Sequence, residues 1–167
     1  MVLVKVCGIT NTHDALAAAE AGADAIGFIF APSPRRIRTD EAQEISDVLP
    51  ENILKVGVFV NASPEEVLRI VREVGLNYAQ LHGDEGPEIV AAVQDGGVWV
   101  IKAVRVRDAE SLEDLDRYGA DLYLLDAYSE SARGGTGERF DWSLAKTLIG
   151  HDNIVVSGGL NPDNVAE

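Results

Sequence analysis

Short apolar runs rich in Val, Ile, Leu and Phe recur along the chain, at about residues 2–6, 25–30, 54–60, 78–81, 98–104, 121–125 and 153–157. They alternate little with polar residues, as strands buried on both faces do. Between them lie Ala-, Glu- and Leu-rich stretches with helical spacing. Several are opened by a cap or a proline: Thr12 before His-Asp-Ala-Leu, Ser63-Pro64 before EEVLRIVREV, and Gly86-Pro87 before EIVAAV. The pattern predicts seven strands separated by helices. Strand ends recur every ~20 to 30 residues, the length of one βα unit, so successive strands should be parallel with right-handed crossovers.

Two α/β architectures fit this order, a closed (β/α)8 TIM barrel and an open doubly wound sheet. An open dinucleotide sheet would place G-x-G-x-x-G after its first strand, where this chain has Cys7-Gly8-Ile9-Thr10-Asn11. The barrel is therefore the expected fold. No linker, low-complexity tract or charge block divides the sequence, so one domain over 1–167 is expected.

Charge narrows the partners. With 28 acidic and 14 basic residues the net charge is −14, which argues against a nucleic-acid partner, because phosphate backbones are bound by Lys and Arg. No apolar run approaches the ~18 to 20 residues that span a bilayer, so no membrane partner is expected. The start, Met-Val-Leu-Val-Lys-Val-Cys-Gly, lacks the basic region and cleavage site of a secretory signal, and a cytoplasmic location is expected. A single cysteine allows no internal disulfide.

In such barrels chemistry collects at the C-terminal ends of the strands, and the unusual residues fall there. Cys7 ends the first run and shares a face with Lys5, whose ammonium would favour the thiolate, a usable general base; a buried inert cysteine is the other reading. Asp126 ends the apolar run DLYLL, where desolvation would favour the protonated carboxyl of a general acid; it could equally cap the following loop. Gly134-Gly135-Thr136-Gly137 and Ser157-Gly158-Gly159 can bring backbone N–H groups to an anion, or be ordinary turns. A chain of this charge repels anions at long range, so an anionic substrate needs a locally positive cleft. Arg35, Arg36, Lys102 and Arg133 map near the expected active face, and Arg36 could clamp a carboxylate. His82 could orient a substrate or be a satisfied core histidine. No His, Asp and Glu group has metal-ligand spacing, so no metal is expected.

With these residues placed, the chain resembles the phosphoribosylanthranilate isomerases of tryptophan biosynthesis. The likeness rests on KVCGI at 5–9, GFIFAPSPRRI at 27–37, VGVFVN at 56–61, QLHGDE at 80–85, LLDA with GGTG within 124–137, and VSGGLNPDNV at 156–165. The resemblance implies a metal-free, cofactor-free Amadori rearrangement of N-(5-phosphoribosyl)anthranilate to 1-(2-carboxyphenylamino)-1-deoxyribulose 5-phosphate. It implies Asp126 as general acid, Cys7 as general base, Arg36 on the anthranilate carboxylate, the amides of Gly135, Gly158 and Gly159 on the phosphate, and Gln80 and His82 lining the site. Similar proteins continue through an eighth strand and helix, whereas this sequence stops at Glu167, so a unit of about 35 residues is expected to be missing. Two other readings are a non-catalytic truncated barrel that binds phosphorylated ligands or self-associates, and another ribose-phosphate barrel enzyme. Similar histidine-pathway isomerases use a pair of aspartates, against Cys7 here.

Overall fold

Burial on both faces makes the run at 25–29 a strand: all five residues of Ala25–Ile29 are buried, with helices over one face and inward side chains over the other. The computed structural model describes residues 2–113, 115–127, 142–148 and 151–165. Its strands are β1 (Lys5–Cys7), β2 (Ala25–Ile29), β3 (Leu54–Phe59), β4 (Tyr78–Leu81), β5 (Trp99–Val106), β6 (Leu122–Ala127) and β7 (Ile154–Val156). They hydrogen-bond in sequence order, every pair parallel. Such an order has no reversal, so it lacks the switch point of a doubly wound sheet and follows the course of a barrel. The result is a half-barrel, with β1 and β7 at the two ends of the sheet.

Four α-helices cross between the early strands: α1 (Thr12–Glu20), α2 (Thr39–Val48), α3 (Pro64–Val74) and α4 (Pro87–Asp95). Shorter 3-10 turns occupy Ala109–Leu112, Leu115–Tyr118 and Leu144–Leu148. Ser63 caps α3 through its side chain, with Pro64 in the first turn, and Gly75 ends it at φ 70°. The cap of α1 is Asn11, whose side chain accepts from Asp14 N–H, and Thr12 is already helical.

Side-chain alternation divides the buried residues between the two faces of the sheet. Ile26, Phe28, Phe59, Ala79, Leu81 and Val100 face the helices in the larger cluster. Ala25, Val56, Ile101, Ala103 and Leu124 face inward in a smaller one. The strand limits differ from the apolar runs at both ends. Val2 and Leu3 are exposed and β1 begins only at Lys5, because an apolar run becomes a strand only where a neighbour supplies the ladder. β6 runs on through Asp126 to Ala127, so the carboxyl belongs to the strand itself. No helix among the described residues is long and apolar enough to cross a membrane.

Candidate active site

Side-chain alternation along each parallel strand decides what meets at the C-terminal ends. Cys7 pairs in register with Gly27, Gly27 with Val56, and so on around the sheet, placing Lys5, Cys7, Gln80, His82 and Asp126 on the inner face. Gly27 makes room on β2: a Cβ there would lie 2.8 Å from Cys7 Sγ and 3.2 Å from Lys5 Cε. Cys7 is a half-buried free thiol, and its carbonyl accepts from Arg35 Nη1 at 2.8 Å.

Asp126 is 6% exposed, and partners hold both its oxygens. Oδ2 lies 3.1 Å from His82 Nε2. Oδ1 accepts from the Ala127 N–H at 3.0 Å and stands 3.3 Å from Ser157 Oγ. His82 Nδ1 in turn lies 2.7 Å from Gln80 Nε2. The structure thus brings Gln80, His82, Asp126 and Ser157 into one hydrogen-bonded chain from β4 to the end of β7, with Cys7 on β1 outside that chain. Gly158 follows at φ 82°, and a Cβ on it would lie 2.9 Å from Ala127 N and 3.2 Å from Asp126 Oδ1, so glycine is required beside the carboxyl. Gly159 also has positive φ, 68°. Gly135 and Arg133 lie outside the described residues.

The cations divide differently from the sequence expectation. Lys102 is adjacent to Ile101 on β5 and therefore faces the helices, away from the inner face. There it is 2% exposed, with Nζ on Glu85 Oε2 at 2.9 Å and on the carbonyls of Gly83 at 2.8 Å and Leu81 at 3.3 Å. It is committed to this buried pair and is not a cation of the cleft. Arg36 is exposed and lines a cleft of about 730 Å³ between α2 and α3, together with Phe30, Glu66, Arg69 and Ile70. That cleft includes neither Cys7 nor Asp126. Arg105, which sequence reading missed, lies on the inner face in register with Asp126, and its Nη2 donates to Asp84 at 3.0 Å. Two-residue counting from Ala103 would have found it.

Burial alone would raise the Glu85 carboxyl, but the hydrogen bond and charge of Lys102 and the Asn61 N–H outweigh it and hold it below its ordinary value of 4.5. A carboxyl lowered by folding stabilises fully above its unfolded value, and that stabilisation drains away as pH falls through the folded value. Urea unfolding between about pH 6 and pH 3 should therefore show a steeper acid loss in the wild type than in Lys102→Met/Glu85→Gln; equal losses would contradict the linkage.

The family model of N-(5'-phosphoribosyl)anthranilate (PRA) isomerase matches residues 4–167. The N-(5'-phosphoribosyl)anthranilate isomerase of Rubrobacter xylanophilus is 64% identical over 167 residues, covering 99% of this chain and 81% of that relative. Among solved structures, the phosphoribosyl anthranilate isomerase of Thermotoga maritima superposes with a TM-score of 0.89 at 44% identity, covering 99% of this chain and 80% of that one. Another, a phosphoribosyl anthranilate isomerase in complex with reduced 1-(o-carboxyphenylamino)-1-deoxyribulose 5-phosphate, superposes with a TM-score of 0.86 at 43% identity, with the same two coverages.

Proposed function

Since this chain belongs to the N-(5'-phosphoribosyl)anthranilate isomerase family, it is an isomerase of tryptophan biosynthesis, and we propose that Asp126 and Cys7 are the acid and base of its Amadori rearrangement. The observation that carries the assignment is the Asp126 carboxyl, buried on the inner face at the end of β6 and held at both oxygens.

Asp126 gives its proton to the ribose ring oxygen as the C1–O bond breaks and the anthranilate nitrogen lone pair forms C1=N. The Cys7 thiolate removes the C2 proton, and the C–H electron pair forms C1=C2 while the C1=N pair returns to nitrogen. The resulting enolamine ketonises: the 2-hydroxyl loses its proton, C2=O forms, and C1 gains a proton. Asp126 has given one proton and Cys7 has taken one, so a compensating transfer resets the site.

Arg36 is assigned to the anthranilate carboxylate, where two parallel N–H···O bonds would hold it, and the amides of Gly135, Gly158 and Gly159 to the phosphate. The local positive charge that the −14 total demands then comes from Arg36, from Lys5 and Arg105 on the inner face and from backbone N–H groups, with Lys102 withdrawn behind β5. This reading makes the small-molecule partner phosphorylated and carboxylated, and the place of work the cytoplasm.

The purified protein should convert N-(5'-phosphoribosyl)anthranilate, and a folded chain without turnover would overturn the reading. In Arg36→Ala, the loss of charge-assisted bonds worth about 1.5–3 kcal/mol should raise KM roughly 10- to 100-fold with a smaller change in kcat. An unchanged KM would remove Arg36 from the carboxylate.

A further inference from the structure

Gln80 and His82 lie two residues apart on β4 and its extension, so their side chains follow one another along the inner face. β5 separates them from β6, but its inner residue at this level is Ala103, whose methyl lets the imidazole reach across to Asp126. Gln80 is 2% exposed. Its Nε2 is turned to His82 Nδ1, and its Oε1 is buried without a hydrogen-bond partner.

With the amide turned so that its N–H meets Nδ1 at 2.7 Å, Nδ1 must offer a lone pair. The single proton of the neutral imidazole is then on Nε2, pointing at Asp126 Oδ2. The imidazolium, which needs protons on both nitrogens, would set N–H against N–H at Nδ1. The bare-Nε2 tautomer meets the same conflict, and it alone could accept the Asp126 proton. At the other oxygen, the Ser157 hydroxyl is placed to donate to the Leu125 carbonyl at 2.9 Å and to Oδ1 at 3.3 Å, so it too is no base for the Asp126 proton.

We propose that Gln80 and His82 are positioning residues for the acid: the Gln80 amide fixes His82 as the neutral Nε2–H tautomer, which anchors the Asp126 carboxyl and cannot take its proton. This rests on Asp126 being the general acid, and it gives Gln80 and His82 a different task from lining the substrate. The acid's proton then has no path to His82.

Other charged or titratable groups surround the pair. Arg105 is in register with Asp126 and tied to Asp84. Lys5 and Cys7 are on the inner face of β1. The Lys102–Glu85 pair stands behind the sheet. No hydrogen bond or ion pair joins any of these to Gln80 or His82 among the described residues.

The test is the His82 tautomer and charge, read by long-range 1H–15N correlation, alongside steady-state kinetics. Wild type should show neutral His82 protonated at Nε2 at the assay pH. Gln80→Glu places an acceptor opposite Nδ1 and should turn His82 into the imidazolium; kcat should fall about 100-fold, the scale of a lost general acid, with KM held within about twofold. Gln80→Met, which only removes the donor, should fall less. An imidazolium or an Nδ1–H tautomer in the wild type overturns the proposal, and needs no variant to fold. Wild-type kcat in folded Gln80→Glu overturns it too, and where Asp126→Asn has lost activity, the acid assignment stands without it. Full turnover in Asp126→Asn overturns both.

Discussion

Asp126→Asn should lower kcat by roughly 10²- to 10⁴-fold while leaving KM close to wild type. The amide keeps the shape of the carboxyl and an acceptor oxygen for the Ala127 N–H, so the strand end loses little packing. What it loses is a proton that can leave. Ring opening then depends on water, which the inner face admits poorly at a residue only 6% exposed. Cys7→Ala should lower kcat by a similar factor, because C2 is then left without a base. The double variant should be far less than multiplicatively slower, since once either step fails the other is no longer limiting. Steady-state turnover of N-(5'-phosphoribosyl)anthranilate checks all three, and a folded Asp126→Asn protein at wild-type rate would remove the carboxyl from the chemistry.

The second large effect is on stability. Lys102→Met should cost about 3–5 kcal/mol, because it strands a buried Glu85 carboxylate and leaves the carbonyls of Leu81 and Gly83 without the Nζ donor. Those carbonyls flank His82, and Glu85 also accepts from the Gly83 and Asn61 N–H groups. The pair therefore fastens the turn after β4 to the end of β3. Lys102→Met/Glu85→Gln should recover much of the loss, since two neutral groups of similar size remove the uncompensated charge. Urea midpoints at neutral pH and constant slope read both quantities. A double variant as weak as the single one would place the cost in the lost carbonyl contacts and not in the stranded charge.

The comparison of Lys102 with Gln80 shows how far residue order carries. Both lie in apolar runs near strand ends, and from that position alone Lys102 would be a cleft cation. Its neighbour Ile101 is in register with Gln80 and faces inward, so a shift of one residue sends the ammonium to the helix side. Arg105 is hidden in the sequence for the opposite reason. The strand continues past the apolar run to Val106, and an arginine there stays on the inner face because the ladder with β6 persists. Thr12 and Asn11 both have capping side chains, and only the backbone, extended at Asn11, selects the latter.

The sequence by itself determined the alternation of strands and helices, the barrel order and the positions of Cys7 and Asp126 at strand ends, because period and turn chemistry are local properties. Its ordered motifs also identified the family. Tertiary structure alone decided which face each polar residue takes and what it meets there: Lys102 behind the sheet with Glu85, Arg105 beside Asp126, and Gln80 turned through His82 onto Asp126. Apart from Gln80–His82, two positions apart on one strand, those contacts join residues 17 to 44 positions apart. Their partners are set by ladder register and by burial that leaves each polar group few ways to be satisfied, and neither is encoded in any local stretch of sequence.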